Sequence, residues 1–170
     1  MDLSAFIRDI PDFPKKGIIF KDVTPLLSDP HAFGNCILCL KELSEDLKPT
    51  VVVAPEARGF IFAAPLALAM GIGFVPVRKP GKLPYKTLSV SYTLEYGTAE
   101  LEMHVDAFKS KDRVLIVDDI LATGGTIEAL IKMIKDLGAQ VAGVIALAEL
   151  SFLKPRNRLS GYEVRTIITY

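Results

Sequence analysis

The stretch Val114 to Thr126, VLIVDDILATGGT, brings three chemical capacities together in order. Asp118 and Asp119 are adjacent carboxylates that could accept hydrogen bonds from a diol or face a metal ion. Ala122, Thr123, Gly124, Gly125 and Thr126 are small enough to let backbone N–H groups approach an oxyanion, and two hydroxyls add further donors. Ile127, Leu130, Ile131 and Ile134 then recur at helical spacing, so this loop opens a helix, where amides and the helix dipole favour phosphate. An Asp pair alone is compatible with a solvated turn, and Thr-Gly-Gly-Thr alone with an ordinary helix cap. Joined in this order behind a buried strand, they specify far more.

Other residues could serve the same chemistry. PEARG, Pro55 to Gly59, follows the apolar run Val51 to Val53 and sets Arg58 and backbone amides ahead of a second helix, an arrangement able to receive a pyrophosphate. Phe20 lies beside Lys21 and Asp22, which reads either as a stacking surface for a planar heterocycle or as a hydrophobic staple with a helix cap. Arg78, Lys79, Lys82 and Lys86 cluster among Pro80, Gly81 and Pro84. Such a segment suits either a closing lid over an anion or a solvated loop. Glu95 sits in the turn of an expected hairpin, an ordinary surface place for an acid. His31 reads as an exposed first-turn residue and His104 as structural. Cys36 and Cys39 are spaced C-x-x-C, but with no second pair they read as part of a helix's apolar stripe.

These residues need elements to position them. Val114 to Val117 suits a parallel strand covered on both faces and central in its sheet. Further strands are expected at Val51 to Val53, Gly73 to Val77, Val141 to Leu147 and, at the sheet edge, Val164 to Ile168. Ser89 to Leu94 and Ala99 to His104 read as the hairpin. Helices are expected at Leu3 to Ile10, His31 to Leu47 with Asp29 as cap, and Thr126 to Leu137 before Gly138. Lys154 to Arg158 reads as a surface turn.

Composition bounds the rest. A chain of 170 residues, 50% hydrophobic and 24% charged, fits one compact domain. Twenty basic and twenty acidic residues cancel to a net charge of zero, so no global field favours nucleic acid or an anionic membrane. The uncharged stretch Gly59 to Val77 is long enough to span a bilayer, but Pro65, Gly71, Gly73 and Pro76 divide it into a buried helix and a strand. Charges within Met1 to Ile10 argue against a signal peptide, and reduced thiols suit the cytoplasm.

The Val114 to Thr126 stretch resembles the phosphoribosyl pyrophosphate motif of the type I phosphoribosyltransferases. FPKKGIIFKDVTPLL, ARGFIF, VPVRKPGKLP, SYTLEYG with AELE, and VLIVDDILATGGT extend the likeness over nearly the whole chain, toward members of the family that use adenine. The resemblance implies an α/β fold: a central, mostly parallel sheet flanked by helices, with a β-hairpin lid and a small N-terminal hood. It implies a single domain over 1–170, with the hood at about 1–30 and a mobile lid at about 78–97. By the same resemblance Asp118 and Asp119 hold the ribose hydroxyls and Ala122 to Thr126 the 5-phosphate. Glu56, Ala57 and Arg58 form a pyrophosphate loop, where the family often has a non-proline cis peptide, assisted by Arg78, Lys79 and Lys82. Ile19, Phe20, Lys21 and Ile120 enclose adenine, Phe20 and Ile120 on opposite faces, and Glu95 is the acid/base residue or an electrostatic support.

The implied reaction joins adenine to 5-phosphoribosyl 1-pyrophosphate, giving AMP and pyrophosphate. Mg²⁺ is expected as cofactor, held mainly by substrate with no direct protein ligand, and a homodimer is expected, with Arg78 reaching toward the partner's site. Two departures stand out: Lys21 where some members have Arg, and Glu56-Ala57 where many have Asp-Ser. Lys cannot reproduce a bidentate Arg contact. A transferase for another purine base and a non-catalytic phosphoribosyl pyrophosphate sensor are the alternatives. The second has to contend with a retained Glu95 and the lack of length for a DNA-binding domain.

Overall fold

A computed structural model of the chain describes residues 1–93 and 98–170. In chain order the strands are β1 (Arg8–Pro11), β2 (Ile19–Asp22), β3 (Val51–Pro55), β4 (Gly73–Val77), β5 (Thr87–Thr93), β6 (Thr98–His104), β7 (Arg113–Leu121), β8 (Gln140–Glu149) and β9 (Val164–Thr169). The α-helices are α1 (Thr24–Ser28), α2 (Pro30–Glu42), α3 (Arg58–Met70) and α4 (Gly125–Asp136).

Five strands form an all-parallel sheet in the order β4-β3-β7-β8-β9. The branched run Val114–Val117 has no exposed surface and puts β7 at the sheet centre, as its composition requires. Its alternate residues feed two cores. Val114 and Ile116 pack with Ile127, Leu130 and Ile134 of α4 and with Leu101 and Met103 of β6. Leu115 and Val117 pack with Phe62 and Leu66 of α3 and with Cys36 and Leu40 of α2. Each fully buried Leu or Phe in these layers contributes about 1.5–3 kcal/mol of transfer free energy.

The site follows from this winding. From β3 the chain runs through α3 to the outer strand β4; from β7 it runs through α4, on the other face, to β8 on the opposite side. Pairing between β3 and β7 stops at Val53↔Ile116, whereas β7 and β8 stay paired to Leu121↔Glu149. A crevice therefore opens past the ends of β3 and β7, the place where open α/β sheets bind ligands.

Two antiparallel ribbons flank it. β5 pairs with β6, and β1 pairs with β2 through Arg8↔Asp22 to Pro11↔Ile19. Arg8 and Asp22 form a 2.7 Å ion pair across the N-terminal ribbon. The Thr24 amide first, then Arg8, holds the Asp22 carboxyl down at about 2.

Several boundaries differ from the sequence expectation. Only Leu3–Phe6 is helical in the first segment, as a 3-10 turn, because Arg8–Pro11 pairs with β2 instead. α2 ends at Glu42 and gives way to a 3-10 turn at Glu45–Leu47, with Asp29 capping the helix through the His31 and Ala32 amides. Asp118 and Asp119 lie within β7 rather than beyond it, since pairing to β8 carries the strand on to Leu121. The exposed turn expected at Lys154 to Arg158 is present, with a 3-10 turn at Pro155–Asn157 that the Arg156–Glu149 ion pair ties to β8. Cys36 is packed in the α2/α3 core, and desolvation pushes its thiol up to about 12. Among the described residues no helix is long and apolar enough to cross a membrane.

Candidate active site

At the crevice, Asp118 is partly open and Asp119 is only 3% exposed. The Asp119 amide donates to Asp118 Oδ1 at 2.9 Å. Burial, and then the charge of Asp119, push the Asp118 carboxyl well above the usual carboxylate range. Arg58, the first residue of α3, brings Nε to 2.7 Å from Asp119 Oδ2. That contact is not aligned as a hydrogen bond, so buried Asp119 Oδ2 has no hydrogen-bond donor among the described residues. An acid pair with an unanswered oxygen is suited to hydroxyl donors or to a cation. Two carboxylates fill only part of an octahedral Mg²⁺ shell, so bound oxygens from substrate and water would complete it. Among the described residues no group of three or more His, Cys, Asp or Glu converges as a metal cage.

Gly59 explains how α3 comes so close. A Cβ there would lie 3.1 Å from Asp118 Oδ1, 3.1 Å from Pro55 Cδ and 3.2 Å from Ala54 Cβ. Gly59→Ala is therefore expected to cost about 1 kcal/mol or more through overpacking. The check is the denaturant midpoint, which should fall; an unchanged midpoint would mean that β3 and α3 separate freely.

The Glu56–Ala57 peptide is cis, as the family likeness implied. The Glu56 side chain, however, is engaged: Oε1 accepts the Lys79 amide at 2.6 Å and lies 3.5 Å from Arg78 Nε. The Lys79 amide, the strongest influence, helped by Arg78, holds this carboxyl below its usual range. Glu102 of β6 completes the anchorage, exchanging backbone hydrogen bonds with Arg78 and accepting the Gly81 amide at 3.0 Å. The root of the basic segment is thus tied down by two carboxylates.

The 122–126 loop turns at Gly124, whose φ of 83° suits glycine, and α4 starts at the next residue. The first amides of a helix lack intrahelical partners, and such a helix start favours anions. A cleft of about 550 Å³ joins these parts, lined by Glu56, Ala57, Arg58, Lys79, Asp118, Asp119, Ile120 and Thr126. Tyr92 of β5 lines it too, with its hydroxyl 3.4 Å from that of Thr126. Sequence reasoning passed over Tyr92, Gly59 and Glu102. Tyr92 and Glu102 lie on strands and Gly59 in the first turn of α3, all remote in sequence from the motif they meet.

Not every expected residue converges there. Arg78 and Lys82 do not line this cleft. Ile19, Lys21, Ala122 and Thr123 line a neighbouring, mainly apolar cleft of about 700 Å³, with Leu150 and Tyr170. Phe20 turns its ring to the Arg58 guanidinium, 4.9 Å away, which links the N-terminal ribbon to the acid pair. Lys21 Nζ is held 2.7 Å from Asp9 and 3.7 Å from the Tyr170 ring centre. Its charge is therefore neutralised without a ligand. Glu95 lies outside the described residues.

A phosphoribosyl transferase domain profile matches residues 23–168. The chain is 68% identical to the adenine phosphoribosyltransferase of Kosmotoga olearia, over the full length of both. The crystal structure of adenine phosphoribosyltransferase from Thermoanaerobacter pseudethanolicus superposes with a TM-score of 0.97 at 54% identity, covering 99% of this chain and 98% of that one. The Saccharomyces cerevisiae enzyme, complexed with an imino-altritol bisphosphate and adenine, superposes at 0.90 with 39% identity, covering 97% and 96%.

Proposed function

Because this chain belongs to the phosphoribosyltransferase family, we propose that it transfers the 5-phosphoribosyl group of 5-phosphoribosyl 1-pyrophosphate to N9 of adenine, giving AMP and pyrophosphate. One observation carries the reading: the under-satisfied acid pair of β7 and Thr126, in the first turn of α4, line the same cleft as Arg58 and Lys79. Its end-to-end likeness to adenine-specific transferases selects the base.

The residues divide the work by charge. The amides at Ala122 to Thr126 take the 5-phosphate, and Asp118 with Asp119 accept the ribose hydroxyls. Arg58 moves from Asp119 toward the leaving group as those hydroxyls arrive, joining Lys79 and the 56–58 amides around the pyrophosphate; Arg78 and Lys82 reach it from the basic segment. This positive ring stabilises the charge that develops as the C1–O bond breaks. Mg²⁺, held mainly by the substrate's own oxygens with Asp118 and Asp119 nearby, would neutralise the charge of the pyrophosphate. Phe20 and Ile120 sandwich the base, with Ile19 and the β2 backbone at Lys21 along its edge. Glu95 serves the purine's imidazole edge.

The chain works as one domain, with a hood at about 1–30 and a lid at about 78–97 that excludes water from the activated sugar. It acts as a homodimer in the cytoplasm. Supporting the dimer, α3 turns uncharged Ile61, Ala64 and 83%-exposed Leu68 outward on one side. Supporting the compartment, both cysteines are free thiols. A sedimentation mass of about one chain would remove the dimer.

The decisive assay offers adenine, guanine and hypoxanthine separately with the sugar donor and Mg²⁺. AMP and pyrophosphate should appear with adenine and fail with a chelator. Turnover of another purine alone would reassign the acceptor, and donor binding without turnover of any base would make the chain a sensor.

A further inference from the structure

We propose that Glu149 and Arg156, neither of which lines either cleft, are positioning residues that hold the 5-phosphate loop in its binding shape; the proposal rests on the transferase reading above. Glu149 ends β8, is 3% exposed, and lies in register beside Leu121, the residue just before the loop. Arg156 Nε reaches its two carboxylate oxygens at 3.0 and 3.1 Å, and Nη2 reaches Oε2 at 2.8 Å. Nη1 donates to the Val164 carbonyl at 2.9 Å. The planar guanidinium is therefore fixed on two strands at once, which lysine could not reproduce.

What the fork holds is the wall behind Gly124. The Pro155 carbonyl, one residue before Arg156, lies 3.0 Å from where a Gly124 Cβ would stand, and Arg158 Cβ lies 3.6 Å from it. Arg158 then ties the same segment to Glu128, in the first turn of α4, at 3.0 Å. Gly124 sits at positive φ, so the directions of the amides on either side of it depend on this backing. If the wall moves outward, the loop can relax and its amides lose their common aim at one phosphate. A pair serving only to join β8 to β9 would have no reason to distinguish the sugar donor from the base.

Arg156→Ala is expected to raise KM for the sugar donor about tenfold, as a small misplacement of binding groups does, while KM for adenine and kcat stay within about threefold. Arg156→Lys should fall between. Equal changes in both KM values, or unchanged kinetics with only a lower melting temperature, would overturn the assignment. If Arg156→Ala does not fold, Glu128→Gln releases the Arg158 tie alone and should raise the donor KM by about twofold or more; no rise there would equally overturn it. Calorimetric donor binding to wild type and variants separates this outcome from a failure of the transferase reading, because it needs no turnover.

Discussion

Asp118→Asn is expected to make the free protein harder to melt and the donor complex much weaker. Asp118 sits beside another carboxylate with desolvation against it, so the folded protein keeps its proton to a higher pH than the unfolded chain, whose reference lies at 3.8. Between those two values the unfolded state binds fewer protons, and stability falls as pH rises. Asparagine carries no such slope. The variant's advantage in melting temperature should be small near pH 4 and grow as the pH rises above it. Parallel melting curves across that range would mean an ordinary acid.

Binding responds in the opposite sense. The ionised carboxylate is the better acceptor for ribose hydroxyls, and one charge-assisted hydrogen bond is worth about 1.5–3 kcal/mol, or about ten- to a hundredfold in affinity. Asp118→Asn with Asp119→Asn should therefore weaken donor binding by about two to four powers of ten, with adenine affected less. Calorimetry on both ligands reads the difference, and an intact donor affinity would contradict the diol assignment. Stability and binding thus pull on the same acid from opposite sides, as expected where a site is built at the expense of the free fold.

Glu95→Gln is expected to lower kcat by about two to four powers of ten, the range for loss of a proton-transfer group, with donor KM nearly unchanged. The expectation rests on its place in SYTLEYG, between β5 and β6. If Glu95 moves a proton at the imidazole edge, one limb of the pH–rate profile should disappear in the variant. A uniformly depressed profile with both limbs intact would favour electrostatic support of the ribosyl cation. Wild-type turnover would remove Glu95 from the chemistry.

The parts of the site that the sequence made legible are local. In Val114–Thr126 the buried strand, the acids, the glycine turn and the helix start are consecutive, so periodicity alone sets their order in space. The parts it concealed depend on distant partners. Leu3, Phe6, Ile7 and Ile10 have helical spacing, yet pairing with Ile19–Asp22 and the Arg8–Asp22 ion pair override it. Lys154 to Arg158 reads as a surface turn, and is one, but nothing nearby reveals that Arg156 meets the buried Glu149. Glu56 and Lys21 show the same limit. Their identities suggested ligand contacts, while their side chains are occupied by Lys79 and by Asp9 with Tyr170.

Among the described residues the β1–β2 ribbon shares no strand pairing with the five-stranded sheet. A two-stranded ribbon has little stability of its own, and this one carries the surface assigned to the nucleobase, whereas the sugar and its phosphate are assigned to β7 and α4. On the proposed assignment, acceptor preference lies mostly in an appendage, with Ile120 of β7 as the base contact on the chassis. Exchanging that appendage could retarget the heterocycle while the grip on the activated sugar, assigned to the buried central strand and α4, is inherited unaltered.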